Sequence, residues 1–299
     1  MANDLSRVEN PMLEWYERIQ SRLTFPYETL SVSTRFGRTH VLAAGEEGSP
    51  PAVLVQGLGG NALLWEPQLR ALSGCFRVYA LDVIGQMGKS AHTWLPYGDD
   101  SYSAWLLDIL EGLKISAADF VGISFGARIV MRFAAFAPRK VRRLALLSPV
   151  GLAMLRWKII WEILPMGINL VRPRDEHIHE MVHRVFDVPG RSMDPDCEEA
   201  LQIILKHYRP VSGIRKTVDG MTLFFPLTAS ELRRVTMPVL LMAGENERLC
   251  VPRVILARGK RCFPDLWKAE IVPEAGHIMN YDRPEHVNRR LLEFFSAEE

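Results

Sequence analysis

The sequence predicts an α/β protein: a mostly parallel central sheet flanked by helices, with a helical segment inserted late in the chain. Three observations predict it. Short continuous apolar runs recur at residues 52–56, 77–82, 120–123, 143–147, 238–243 and 269–272, and such runs suit strands buried on both faces of a parallel sheet. Helical patterns alternate with them at 62–72, 102–113, 125–137, 253–262 and 284–295. Alternation of this kind implies right-handed crossovers. Between Leu147 and Pro238 the alternation stops for about 90 residues.

Taken in order, the chain begins with an amphipathic pattern over 11–23. Two alternating stretches, 27–34 and 39–44, then flank Gly37, the signal of an antiparallel hairpin. The strand and helix units follow as far as Leu147. The inserted segment offers helical stretches at 153–164, 175–186, 195–208 and, less regularly, 215–225, with breakers Pro149, Gly151, Pro226 and Pro238 at its borders. The expected division is a core of 1–148 and 237–299 interrupted by a helical insertion of 149–236.

A chain of 299 residues, 48% hydrophobic and 24% charged, buries a core large enough to need no disulfide or metal staple. Its 36 basic and 35 acidic residues give a formal charge of +1, so the basic footprint of a nucleic-acid binder is missing. Cys75, Cys197, Cys250 and Cys262 show no metal-ribbon or C-x-x-C spacing and read as free thiols in a reducing compartment. The first 14 residues lack the apolar core of a signal peptide, and the most apolar stretch, 151–171, is broken by Arg156, Lys158, Glu162 and Pro165. A cytoplasmic protein without a membrane span is expected.

Chemistry concentrates in a few places. Gly122-Ile123-Ser124-Phe125-Gly126 is the only G-x-S-x-G in the chain, and it lies between an apolar run and a helical pattern. That is the strand, turn and helix setting of a nucleophile elbow, in which small residues let the backbone turn sharply and the serine hydroxyl stands exposed. A serine becomes a nucleophile when a histidine removes its proton and a carboxylate orients the histidine. His277, in Pro273-Glu274-Ala275-Gly276-His277, follows the last strand run and precedes the final helix. For the carboxylate, the run 238–243 ends in Gly244-Glu245-Asn246-Glu247, where Glu247 and Glu245 compete. With Glu247 the chain order is nucleophile, acid, base.

Four motifs together resemble the α/β-hydrolase superfamily over most of residues 29–295. Gln56-Gly57-Leu58-Gly59-Gly60 resembles its H-G-x-G-G oxyanion loop, and Asp82-Val83-Ile84-Gly85-Gln86-Met87-Gly88-Lys89-Ser90 its D-x-x-G-x-G-x-S segment. The elbow and the pair Glu247 with Ala275-Gly276-His277 complete the set. The resemblance implies the α/β-hydrolase fold, with 149–236 as its cap. It implies Ser124 as nucleophile, His277 as base, Glu247 as orienting acid, and the backbone N–H groups of Leu58 and Phe125 as oxyanion donors. Gln56 stands where histidine is usual, and Glu247 where aspartate is commoner. The glutamate, and the helical segment Tyr102-Ser103-Ala104-Trp105-Leu106-Leu107-Asp108, also resemble a group of bacterial carboxylesterases that includes those splitting naproxen esters.

Other signals compete. His179-Glu180-Met181-Val182-His183 reads as H-E-x-x-H, the zinc-protease signature, with His177 nearby. Its place in the insertion favours a polar helix face, so no catalytic metal is expected. Gly88-Lys89-Ser90 ends like a P-loop, but Val83 stands where that loop needs glycine. Met154, Trp157, Trp161, Met166, Met181, Met193, Met221, Phe224 and Phe225 are expected mostly to pack inside the insertion, a few of them facing an apolar pocket.

The reading is a cofactor-independent serine hydrolase acting on small to medium apolar carboxylic esters through an acyl-enzyme. The same residues also suit a C–C bond hydrolase, a lyase, or a lactone or amide hydrolase. The fold can also serve as a non-catalytic small-ligand receptor.

Overall fold

A computed structural model describes residues 11–159, 161, 174–208 and 222–297. Its sheet contains β1 (Tyr27–Thr34), β2 (Gly37–Ala44), β3 (Pro51–Val55), β4 (Arg77–Leu81), β5 (Ala118–Ile123), β6 (Val141–Leu147), β7 (Val239–Gly244) and β8 (Leu266–Val272). The strand order is β1-β2-β4-β3-β5-β6-β7-β8. The β1–β2 hairpin and the β2–β4 pair are antiparallel, and every later pairing is parallel.

Strand periodicity sorts side chains to two faces. In β3, Val53 and Val55 join one core while Ala52 and Leu54 join the other; in β7, Val239, Leu241 and Ala243 oppose Leu240 and Met242. Both faces are therefore covered, as a parallel sheet of continuous apolar strands requires. One side is filled by α3 (Ser101–Gly112), α4 (Phe125–Phe136) and α8 (Pro252–Cys262), through Trp105, Phe133 and Ile255. The other is filled by α1 (Pro11–Gln20), α2 (Glu66–Leu72) and α10 (Pro284–Phe295), through Trp15, Leu69 and Leu291. In α1 the buried residues Met12, Trp15, Tyr16 and Ile19 fall at helical spacing.

Several strands start earlier than their apolar runs suggest. β5 takes in Asp119, a buried carboxylate that Arg142 of β6 meets at 2.9 Å. A paired charge sits inside a strand that apolarity alone would shorten. β8 begins at Leu266 and is mostly half-exposed because it forms the sheet edge.

Between β6 and β7 the described residues contain no strand. They form α5 (Asp175–Phe186), with the bounds its sequence pattern predicts, α6 (Pro195–His207) and the short α7 (Ala229–Arg233). Asp194 starts α6 by accepting the Cys197 N–H at 2.9 Å, with Pro195 at the first helical position. Most of the expected helix 215–225, and part of 153–164, lie outside the described residues. A short helix, α9 (Met279–Asp282), was not apparent from the sequence. No described helix is long and apolar enough to cross a membrane.

Candidate active site

β5 runs straight into α4, and Ser124 makes the turn between them at φ 55°, ψ −118°. Only a near absence of side chains allows the turn. A Cβ on Gly126 would lie 2.0 Å from the Val55 carbonyl oxygen, and one on Gly122 would lie 2.6 Å from Ala127 Cα. The Ser124 amide donates to the Leu147 carbonyl at 3.0 Å, tying the turn to the end of β6.

At the ends of β7 and β8 two loops fasten to each other. Asn246 N–H donates to the Ala275 carbonyl at 2.8 Å, and a Cβ on Gly244 would strike the Gly276 carbonyl oxygen at 2.2 Å. This contact brings the acidic loop and the histidine loop together. His277 Nε2 lies 2.8 Å from Ser124 Oγ, and His277 Nδ1 lies 2.6 Å from Glu247 Oε2. Glu245, the competing carboxylate, instead accepts the Glu274 N–H at 3.0 Å and braces the loop.

The Glu247 side chain is almost fully buried. Burial pushes its pKa up, but His277, through its charge and hydrogen bond, and the Leu249 N–H outweigh that effect and hold the carboxyl below its ordinary range. A carboxylate facing Nδ1 leaves Nε2 as the nitrogen that accepts from the serine. Two nearby thiols do not compete as nucleophiles: burial raises the Cys197 pKa well above its usual value, and burial followed by the charge of Glu247 pushes Cys250 up to about 12.

Gln56 shapes the loop after β3 from inside. Its Oε1 accepts the Gly57 N–H at 2.8 Å while its Nε2 donates to the Leu64 carbonyl at 3.1 Å. An amide can thus do both jobs where the resembling family has histidine. Farther along, Gln86 Oε1 accepts the Gly59 N–H at 2.8 Å and Asp82 Oδ1 the Ala62 N–H at 2.7 Å. The segment 82–90 is therefore a brace for the loop. Among the described residues, the N–H groups of Leu58 and Phe125 donate to no internal acceptor, and both residues line the cavity beside Ser124.

That cavity has a volume of about 240 Å³. Its walls are Leu58, Ile123, Phe125 and Val150 from the sheet side, with Phe186 of α5 and Leu201, Ile204, Leu205 and Tyr208 on or just after α6. The expectation that some of the insertion's Trp and Met residues face the pocket needs correction. Met154, Trp157, Trp161 and Phe225 are exposed, Met181 packs with Ile159, Val185 and Leu249, and Met193 packs against the core. Met166 and Met221, and the side chain of Phe224, lie outside what is described, and none of the others lines the cavity. The lining residues that the sequence reading missed carry a visible signal, since 201, 204, 205 and 208 repeat at helical spacing.

Asp282, at the end of α9, is a further residue the sequence reading passed over. It accepts the Gly276 N–H at 2.7 Å and so fixes the residue preceding His277. Burial raises its pKa to about 6 against the lowering effects of that hydrogen bond, Arg191 and His277.

Comparison with known proteins agrees with this architecture. The model of the Alpha/beta hydrolase family matches residues 52–290. A Bacillus subtilis (strain 168) protein named "Uncharacterized carboxylesterase nap" is 31% identical over 274 residues, 89% of this chain and 86% of the relative. Carboxylesterase YbfK of the same organism is 28% identical over 93% of this chain and 91% of its own length. Its crystal structure superposes with a TM-score of 0.84 at 25% identity, over 98% of this chain and all of that one. The crystal structure of naproxen esterase from Bacillus subtilis superposes with a TM-score of 0.82 at 27% identity, over 97% and 99% of the two chains. With its eight-stranded sheet and a family match spanning most of its length, the chain belongs to the α/β-hydrolase family.

Proposed function

We propose that this protein is a serine carboxylic-ester hydrolase acting on small to medium apolar esters, with Ser124, His277 and Glu247 as its catalytic residues. The observation that carries the proposal is the continuous chain from Ser124 Oγ to His277 at 2.8 Å and on to Glu247 at 2.6 Å, at the edge of an apolar cavity. Carboxylesterase relatives that align over most of the chain support the same reaction.

In the first half-reaction Ser124 Oγ attacks the ester carbonyl carbon while its proton passes to His277 Nε2. Glu247 stabilises the resulting imidazolium. The carbonyl oxygen becomes an oxyanion held by the N–H groups of Leu58 and Phe125, a contribution of roughly 3–4 kcal/mol for one such donor in comparable sites. Collapse of the tetrahedral intermediate breaks the bond to the leaving oxygen, which takes the proton from His277 and departs as alcohol. Water then attacks the acyl-enzyme, its proton going to His277 and returning to Ser124 Oγ as the acid leaves.

Within the expected cap, 149–236, the described helices α5 and α6 give the cavity its apolar far wall, through Phe186, Leu201, Ile204 and Leu205. An acyl chain or aryl group gains by leaving water there. The test is release of p-nitrophenol from acyl esters of increasing chain length, with wild type beside Ser124→Ala. Wild-type turnover should peak at short to medium chains, and the alanine variant should lose about 10⁴–10⁶ of the rate. Equal rates in both proteins would overturn the proposal.

A further inference from the structure

Away from the cavity, the H-E-x-x-H segment acquires a partner that the sequence alone does not reveal. His179 and His183 lie one turn apart on α5, and Glu198 faces them from α6. Glu198 Oε1 is 3.4 Å from His179 Nδ1 and 3.2 Å from His183 Nε2. The potential ligand atoms of all three residues lie within 4.8 Å of one another. Around a tetrahedral ion with bonds of about 2.0–2.2 Å, neighbouring ligand atoms stand about 3.3–3.5 Å apart. Both histidine-to-glutamate spacings are already close to that value.

The surroundings also suit a metal. His183 Nδ1 lies 2.9 Å from Asp187 Oδ1, so a carboxylate orients the ring and leaves Nε2 as the ligand nitrogen, the arrangement found behind metal-bound imidazoles. Gln202 Nε2 approaches His179 Nδ1 at 3.2 Å and Glu198 Oε1 at 3.0 Å. An amide donor at Nδ1 requires a bare lone pair there, which is also what a metal requires, and an ion would replace Gln202 at both atoms. Glu180, the residue that would act as base in a zinc protease, is 64% exposed and faces Arg184 at 3.9 Å. None of His179, His183 and Glu198 lines the cavity beside Ser124. His177 stands outside the group.

We propose that His179, His183 and Glu198 form a binding site for a divalent transition metal, with zinc the best fit, which fastens α5 to α6. Two imidazoles and one carboxylate are a ligand set zinc accepts, with solvent in the fourth position. Because α5 supplies Phe186 and α6 supplies Leu201 and Ile204 to the cavity, the ion would hold two parts of the pocket wall in register.

The test uses full-length protein stripped of metal by chelator, titrated with Co²⁺ and then challenged with Zn²⁺. One equivalent of cobalt should develop the visible bands of a tetrahedral site, and zinc should erase them. The His179→Gln/His183→Gln double variant should lose these bands while keeping its circular dichroism, and Asp187→Asn should weaken affinity about 10- to 100-fold. Hydrogen exchange in α5 and α6 should slow on zinc addition. No saturable cobalt spectrum, or the same titration in the double variant, would overturn the site. Unchanged exchange in both helices would overturn the fastening.

Discussion

Ser124 sits at φ 55°, a backbone state that costs a non-glycine residue on the order of 1–3 kcal/mol and persists only where its surroundings enforce it. Here they do, through two glycines that nothing larger can replace and the hydrogen bond that the Ser124 N–H donates to β6. The strain aims the hydroxyl at His277. Glu247 and Glu245 divide the labour two residues apart, one charged beneath the histidine and one bracing its loop. Glu247→Gln should therefore lower kcat by about 10³–10⁴, whereas Glu245→Gln should stay within about tenfold and lose some stability; steady-state kinetics of the two variants decides, and the reverse pattern would reassign the acid. Asp282 gives a pH prediction. Its folded pKa is raised from 3.8 to about 6, so the folded state binds the proton more readily than the unfolded one. Its contribution is full below the unfolded pKa and is lost as pH rises through about 6. Urea unfolding of wild type should thus show a loss of order 1–3 kcal/mol between pH 4 and 7 that is absent in Asp282→Asn; identical pH profiles would contradict it.

At the scale of elements, the site is a meeting of loop ends, and one contact couples the loop after β3 to the helices above it. A Cβ on Gly59, which has φ +75°, would stand 2.6 Å from Ile204 Cγ2 and 3.3 Å from the Tyr208 ring. Gly59→Ala should push α6 and the loop apart and cost about 10² in kcat/KM, since displacements near 1 Å carry penalties of that size. Adding Ile204→Ala should restore part of it, and full activity in Gly59→Ala would show the contact to be idle. The elements themselves were largely legible. Apolar runs, Gly37 in the hairpin and the pattern of 175–186 lead directly to strands and helices, because burial on one or two faces leaves a period in the sequence. What stayed hidden was pairwise. The competition between Glu245 and Glu247, the brace from Gln86 to Gly59, and the meeting of Glu198 with His179 and His183 all depend on which loops and helices touch. The aromatic residues of the insertion misled because large apolar side chains such as Trp157 and Trp161 can remain on the surface.

At the scale of the molecule, two apolar layers cover the sheet on both faces and leave the carboxyl ends of β3, β5, β7 and β8 as the place where loops converge, the usual site of ligand binding in open α/β sheets. Fold and candidate triad could be read together because each motif lies at such a strand end and chain order repeats the order of roles. The pocket could not be read in the same way, since Phe186, Leu201, Ile204 and Leu205 of its wall come from α5 and α6, whose docking no local pattern encodes. The central claim is that Ser124 is the nucleophile of this assembly. Reaction with a fluorophosphonate, followed by peptide mass mapping, tests it most directly. One equivalent of phosphonate on Ser124, with ester hydrolysis lost in proportion and no labelling of Ser124→Ala, is the predicted result; hydrolysis lost with the adduct on another residue, or retained with Ser124 fully labelled, would contradict it.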